Sequence, residues 1–254
     1  YYVGYFKTSN GAKNIIYLKG WNTLETKDKM LIDVFCANLS VAFENIYLNM
    51  EYVDTQKEIF YTMSEIAESR SHETGNHVKR VSSYAYLLGK KAGLSEQELE
   101  MLKLATPMHD IGKLAIPEGI LHKPGALSSD EFDVVKTHAK IGFDMLNNSK
   151  REIFQVAAMI AHQHQEKFDG TGYPSGLKGD EIHIYSRITT VVDVFDALSC
   201  ERCYKPAWPI DKVIQYMKDE RGKHFDPVIT DIFLENLDGF ITIQHELRDV
   251  ELIG

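Results

Sequence analysis

The sequence predicts a mainly α fold: a helical bundle entered through one long helix and preceded by a small β element. Three observations carry this reading. From about Lys27 to about Arg70 the chain holds neither Pro nor Gly, and its apolar residues recur at helical spacing. Two Ser-x-x-Glu boxes, Ser95–Glu98 and Ser128–Glu131, mark helix starts in the remainder. Strand-like stretches stand out only within residues 1–20.

Those stretches are Tyr2-Val3-Gly4-Tyr5-Phe6 and Asn14-Ile15-Ile16-Tyr17-Leu18, rich in aromatic and β-branched residues, with the turn signal Ser9-Asn10-Gly11 between them. Two strands alone are marginally stable, so a larger sheet is expected to include them. The chain opens on Tyr1 rather than Met, and further sequence is expected to precede it. In the long helix Ile32, Leu39, Ile46, Val53, Phe60 and Ala67 recur every seven residues. Phe35, Ala42 and Met63 fill alternate seam positions, and Asn49 and Gln56 interrupt them. This pattern predicts a parallel two-stranded coiled coil and hence a homodimer, on a helix roughly 65 Å long at 1.5 Å per residue. Two shorter helices packed intramolecularly are the alternative.

Next, Ser82 to Ala92 carries an apolar face that Gly93 stops. The Ser95 box opens a helix bearing Leu99, Leu102 and Leu104, and the Ser128 box one bearing Val134, Val135, Ile141 and Met145. Glu152–His164 and Tyr185–Leu198 are further helices. Between them Asp169–Asp180 holds four glycines and one proline, a loop of the kind that carries binding residues.

At 254 residues, 44% hydrophobic and 26% charged, the composition is that of a globular domain. A net charge of -9 argues against a nucleic-acid polymer as partner, since such binding rests on Lys and Arg neutralising phosphates. A small anionic substrate remains compatible, because local cations can make a positive pocket in an acidic protein. No uninterrupted run of 18 apolar residues predicts a membrane span, and no signal peptide is visible. Three cysteines, an odd number, fit a reducing cytoplasm. Cys200-x-x-Cys203 lacks a second pair, and Cys36 is distant, so the spacing reads as incidental.

Chemistry concentrates around Pro107-Met108-His109-Asp110-Ile111-Gly112-Lys113, together with Glu73, His77, His138, His164 and Asp193. Glu73 and His77 share a helix face at i, i+4, and Lys113 lies three beyond Asp110 on the same side. Pro107 removes one helical hydrogen bond beside them. Asp193 and Asp196 are three apart on a later helix. Nitrogen and oxygen donors without thiolates favour iron, manganese, zinc or magnesium, and clustered divalent ions are the usual apparatus for cutting phosphodiesters.

These residues resemble the HD-GYP family of cyclic dinucleotide phosphodiesterases, a branch of the HD-domain metal hydrolases. The resemblance covers roughly residues 60–250. It runs through Glu73-Thr74-Gly75-Asn76-His77-x-x-Arg80-Val81, His109-Asp110-Ile111-Gly112-Lys113, Ile116-Pro117 and Lys123-Pro124-Gly125. It continues with His138, Gln165-Glu166-Lys167-Phe168-Asp169-Gly170-Thr171-Gly172-Tyr173-Pro174, Asp193-x-x-Asp196-Ala197-Leu198 and His224-Phe225-Asp226-Pro227. It implies an HD-type helical bundle over residues 71–254, a linker helix over 51–70, and over 1–50 the end of a GAF-like sensory domain.

The resemblance further implies metal ligands at Glu73, His77, His109, Asp110, His138, His164 and Asp193. They would hold two or three divalent ions, iron or manganese first, with zinc, magnesium and nickel as further candidates. Asp110 would bridge two of them, and hydroxide would attack phosphorus in line with the leaving ribose oxygen. Lys113 would offset charge on the phosphoryl oxygens. Asp169, Tyr173, Pro174, Arg202 and Lys205 would contact substrate. The implied reaction opens cyclic di-GMP to pGpG, with further cleavage to GMP left open. A preference for 3',3'-cyclic GMP-AMP and a receptor that binds without turnover are the alternatives, while Gly172-Tyr173-Pro174 argues against a generic HD nucleotide phosphohydrolase. Two departures stand out. Gln165 replaces the second of two consecutive histidines, which puts a third metal in question, and Arg202-Cys203-Tyr204 replaces Arg-Pro-Tyr. His162, two residues before His164, would face away from it on a helix.

Overall fold

A computed structural model describes residues 2–7, 13–18, 25–70, 75–201 and 206–248. The Ser9–Gly11 turn, Glu73, Arg202, Cys203, Tyr204 and Lys205 lie outside the described residues. The chain forms two compact units, residues 1–58 and 59–254.

In the first unit β1 (Tyr2–Lys7) pairs antiparallel with β2 (Lys13–Leu18), Gly4 opposite Ile16. This pair is the whole sheet among the described residues. Helix α1 (Thr26–Ser69) then runs unbroken for 44 residues, as the absence of Pro and Gly predicts. Its seven-residue stripe changes role along the way. Ile46 and Val53 are exposed, whereas Phe60 and Ala67 are buried in the core of the second unit, Phe60 against Phe154 with ring centroids 5.0 Å apart. The lower part of the expected coiled-coil seam is therefore an intramolecular packing face. By length and composition alone α1 is also long and apolar enough to cross a membrane, although Asp33 and Glu44 interrupt its apolar residues.

The second unit is a helical bundle. Helix α2 (Gly75–Lys91) buries Val78, Val81, Tyr84, Ala85 and Leu88, one stripe at i, i+3, i+7 and i+10 with its neighbours. Helix α3 (Glu96–Ala105) starts at the Ser95 box, where Ser95 N–H donates to Glu98 Oε2 at 2.8 Å. It gives way to a 3-10 turn, Thr106–Met108, at Pro107. Pro107 has no N–H for the carbonyl of Lys103; the Ser82 hydroxyl donates to that carbonyl instead, at 2.7 Å. A second 3-10 turn, Ile111–Ala115, leads to α4 (Glu118–Leu121). Helix α5 (Ser129–Leu146) starts at the Ser128 box, followed by α6 (Glu152–Gln163).

Helix α7 (Ile184–Ser199) is the most enclosed, with Ile188, Thr189, Val191, Val192 and Phe195 all buried. Helices α8 (Ile210–Asp219), α9 (Pro227–Glu235) and α10 (Leu237–Glu246) complete the bundle. Tyr84, Phe195, Phe233 and Phe240 interlock with centroids 4.7–6.1 Å apart, which adds about 0.5–1.5 kcal/mol per pair beyond area burial. The His224–Pro227 motif shapes its own neighbourhood. Asp226 caps α9, accepting from Val228 N–H at 2.7 Å, while Pro227 takes the first helical position.

Candidate metal centre

Five of the sequence-predicted ligands converge at one spot in the second unit. His77 comes from α2, His109 and Asp110 from the junction of the two 3-10 turns, His138 from α5 and His164 from the C-terminal end of α6; all five are buried. Asp193 on α7 approaches the same group, with Oδ1 3.8 Å from His77 Nε2 and 3.7 Å from His109 Nε2.

Three of the rings are aimed the same way. His109 Nδ1 lies 2.9 Å from the carbonyl of Thr106, His138 Nδ1 2.7 Å from that of Val135, and His164 Nδ1 2.9 Å from that of Ala161. Each contact runs three residues back along the chain, and a carbonyl can only accept, so Nδ1 carries the proton. That fixes the tautomer and leaves Nε2 with its lone pair turned inward. His77 is aimed differently. Its Nδ1 is 2.8 Å from Asp196 Oδ2, and Arg80 holds both Asp196 oxygens at 2.7 and 2.9 Å. These contacts keep the Asp196 carboxyl ionised far into acid despite its burial.

Asp110 sits between two sets of donors. Its Oδ1 is 3.2 Å from His138 Nε2 and 3.4 Å from His164 Nε2, and its Oδ2 is 3.3 Å from His109 Nε2. Ligands at about 2.1 Å from one ion stand about 3.0 Å apart in octahedral and about 3.4 Å apart in tetrahedral geometry, so these separations suit neighbouring ligands of shared ions. His109 Nε2 and Asp110 Oδ1 are buried with no hydrogen-bond partner among the described residues, as atoms reserved for metal would be. The electrostatics agree. Burial acts to lower His109, but Asp110, Asp193 and Glu68 outweigh it and push its pKa up to about 10. Burial opposes ionisation of Asp110, yet Lys113 and the histidines hold it well below the carboxylate range. The site draws positive charge, and its donor set suits divalent metal.

Lys113 Nζ lies 2.5 Å from Asp110 Oδ2. The segment is a 3-10 turn and not the α-helix that the i, i+3 spacing suggests, and its three residues per turn bring the two side chains into line. Gly112 lets this turn touch α5. A Cβ there would stand 2.0 Å from the carbonyl oxygen of His138. In the loop after α6, buried Glu166 accepts from the N–H groups of Ser175 (2.7 Å) and Leu177 (3.1 Å), folding the chain back. A Cβ on Gly172 would meet Lys167 N at 2.3 Å, so only glycine permits that fold. The Tyr173–Pro174 bond is cis, and the Tyr173 ring meets His138 edge-on at 6.3 Å. Burial, with Asp110 nearby, raises the Tyr173 phenol above its ordinary range.

The Asp169 carboxylate accepts from the N–H and hydroxyl of Thr171, at 2.9 and 2.7 Å, and so frames its own loop. The backbone carbonyl of Gln165 accepts from Tyr173 N–H at 3.2 Å. His162 packs against Phe143, centroids 5.0 Å apart, as its spacing from His164 predicts. The Cys200 thiol is pushed up to about 11 by burial and by Asp196, which suits an inert thiol. Sequence reasoning missed Glu68, a buried carboxylate from the last turn of α1 whose oxygen, with His77 and His109, forms a second group of donor atoms within 4.8 Å. Its one signal was a charge beside Ala67 on the apolar stripe.

A family model described as an HD domain matches residues 61–229, and one described as a domain of unknown function, DUF3369, matches residues 1–52. The latter gives the GAF-like expectation no support. Among curated proteins, the 3'3'-cGAMP-specific phosphodiesterase 2 of Vibrio cholerae is 41% identical over 248 residues, covering 98% of this chain and 48% of that protein. The cyclic di-GMP phosphodiesterase response regulator RpfG of Xanthomonas campestris is 41% identical over 184 residues, covering 72% and 49%. The chain thus spans about half the length of these curated relatives. Among solved structures, the cyclic GMP-AMP specific phosphodiesterase V-cGAP3 of V. cholerae superposes with a TM-score of 0.57 at 19% identity, over 77% of this chain and 51% of that one, a likeness of fold. With the HD domain model covering most of its length and the helical fold in agreement, the chain belongs to the HD domain family.

Proposed function

We propose that this chain is a metal-dependent phosphodiesterase that opens a 3',3'-linked cyclic dinucleotide, cyclic di-GMP in the first instance, to the linear product pGpG. The observation that carries the reading is the set of three histidines whose Nδ1 atoms are engaged and whose Nε2 atoms surround Asp110. His138, His164 and Asp110 Oδ1 would hold one divalent ion, and His77, His109, Asp193 and Asp110 Oδ2 a second, with Glu73 as a further ligand; iron or manganese suits the donors best. Bound there, such ions supply Lewis acidity that activates water and offsets charge on phosphorus-bound oxygens. The residues' own work is distinct. Asp110 joins the two halves of the site. Lys113 presents a cation where phosphoryl charge grows. Tyr173 and Pro174 would wall the side from which a base enters, and Arg202 and Lys205 would supply cations for the phosphates or bases of the dinucleotide. Residues 71–254 are the catalytic domain in this reading, with the end of α1 leading into it.

Cleavage of 3',3'-cyclic GMP-AMP is the second reading, favoured by the relative of that specificity that matches nearly the whole chain. The test is turnover by anaerobically prepared, metal-loaded protein of each dinucleotide, with products separated by chromatography. Linear product from either supports the reading, and the ratio of kcat/KM values decides between them. Tight binding of both without cleavage makes the protein a receptor.

The exposed Ile46 and Val53, with Ile32 and Leu39 on the same seven-residue repeat, support a homodimer through the upper part of α1. Light scattering at tens of micromolar should give twice the chain mass, and Leu39→Asp should halve it. A cytoplasmic place accords with free Cys36 and Cys200 and with a soluble nucleotide substrate.

A further inference from the structure

Glu68 occupies a position that ordinary stability would disfavour. It is 1% exposed, and a buried carboxylate is costly unless paired. It also lies in the last turn of α1, where the helix dipole repels negative charge and where the helix has no basic residue of its own to compensate. A cation reaches it from another element. Lys113 Nζ stands 3.6 Å from Glu68 Oε2 while also touching Asp110 Oδ2 at 2.5 Å. The same helix end holds the backbone around Lys113: Arg70 donates to the carbonyls of Leu114 (2.6 Å) and Ile116 (3.4 Å), and the Ser64 hydroxyl donates to Met108 Sδ at 3.2 Å. Three residues of one helix end thus grip the segment 108–116 that carries His109, Asp110 and Lys113.

We propose that Glu68 is a positioning residue: from the end of α1 it fixes the Lys113 ammonium beside Asp110, facing the phosphoryl group of the substrate. This rests on the phosphodiesterase reading only for the identity of that group. The physical reason is a competition. Asp110 is the nearer partner of Lys113, but it is also the carboxylate placed among three histidine Nε2 atoms. A carboxylate whose oxygens serve metals attracts an ammonium less, and Lys113 on its flexible stem then needs a second anchor. Glu68 supplies it from a buried side chain with little freedom to move.

The test compares wild type, Glu68→Gln, Lys113→Ala and the double variant, each checked for folding by thermal melting. Metal is counted by elemental analysis, affinity for inorganic phosphate is measured by calorimetry on metal-loaded protein, and kcat and KM are measured on the cyclic dinucleotide that wild type cuts. Glu68→Gln should keep the full metal count and KM within about twofold. It should lose about tenfold in kcat and weaken phosphate binding, since small misplacements of a catalytic group cost that much or more. In the Lys113→Ala background the same change should do nothing further, the signature of two residues acting as one unit. Loss of one metal equivalent in Glu68→Gln would make Glu68 a ligand and overturn the proposal. So would an equal loss of rate or phosphate affinity with and without Lys113. If no cyclic dinucleotide is cut by loaded wild type, the phosphodiesterase reading fails by itself, and phosphate affinity across the four proteins still decides the role of Glu68. Should Glu68→Gln fail to fold, Glu68→Asp, one methylene shorter, should show the same dependence on Lys113 at smaller amplitude, and its absence there also overturns the proposal.

Discussion

Replacing Gly112 by alanine should disturb the candidate metal centre without touching any of its donor side chains. The added Cβ would stand 2.0 Å from the carbonyl oxygen of His138, 2.8 Å from its carbonyl carbon and 2.7 Å from Gly142 N. Carbon and oxygen rest no closer than about 3.3 Å, so the 3-10 turn and α5 must separate by roughly 1.3 Å. Both neighbours are backbone, and no side chain can swing aside. Overpacking of this kind costs about 1–3 kcal/mol. At about 2–4 °C per kcal/mol for a domain of this size, Tm should fall by about 2–12 °C. The local effect is larger, because the separation opens the 3.2 Å spacing between Asp110 Oδ1 and His138 Nε2, and ligand sets tolerate only about 0.5 Å. Elemental analysis after dialysis should find at least one equivalent of metal lost. Gly119→Ala is the control, since a Cβ there meets nothing within 4 Å. A Gly112→Ala protein that melts within 1 °C of wild type and keeps its metal would refute the reasoning.

Asp110→Ala should lose both metal and turnover, whereas Lys113→Ala should keep metal and lose about 10²–10³-fold in kcat, as for removal of one preorganised charge-stabilising donor; wild-type turnover in loaded Lys113→Ala would remove it from the mechanism. Gln165→His should retain metal more tightly, since imidazole is the better ligand, and loss of metal instead would show that Gln165 serves another purpose. His224 stacks on Phe225, and burial, with Lys167 nearby, lowers its pKa to about 4, against about 6.5 when unfolded. Between those values the unfolded chain binds the extra proton, so this contribution, roughly 3 kcal/mol, is complete above about pH 6.5 and is lost as pH falls to 4. An NMR titration placing His224 near 6.5 would contradict this.

That His77, His109, Asp110, His138, His164 and Asp193 gather at one place was legible from the HD-GYP resemblance, which rests on short motifs of fixed spacing that a single sequence displays. The Ser95 and Ser128 boxes were legible because capping is local. What escaped the sequence depends on distant neighbours. The stripe through Phe60 and Ala67 has the same period whether it faces a second chain or its own domain, and only the position of Phe154 decides. Glu68 resembles any solvated charge until Lys113 is brought to it from 45 residues away in the chain. The 3-10 form around Asp110 was hidden for a similar reason, since Pro107 announces a break in the helix but not how Ser82 compensates for it.

The backward contacts of His109, His138 and His164, each to a carbonyl three residues earlier, have a wider consequence. Each ring is oriented by a carbonyl of its own stretch of chain and not by a long-range partner. What tertiary structure adds is only the distance between these prepared lone pairs. Metal occupancy at the proposed site would therefore gauge how well the helices are seated against one another, and core substitutions far from these donors should register in it. The relation also runs in reverse: an ion that binds only the seated arrangement clamps it, by about 4 kcal/mol when free metal stands a thousandfold above Kd. The supply of metal would then set how long the bundle survives as well as how fast it works.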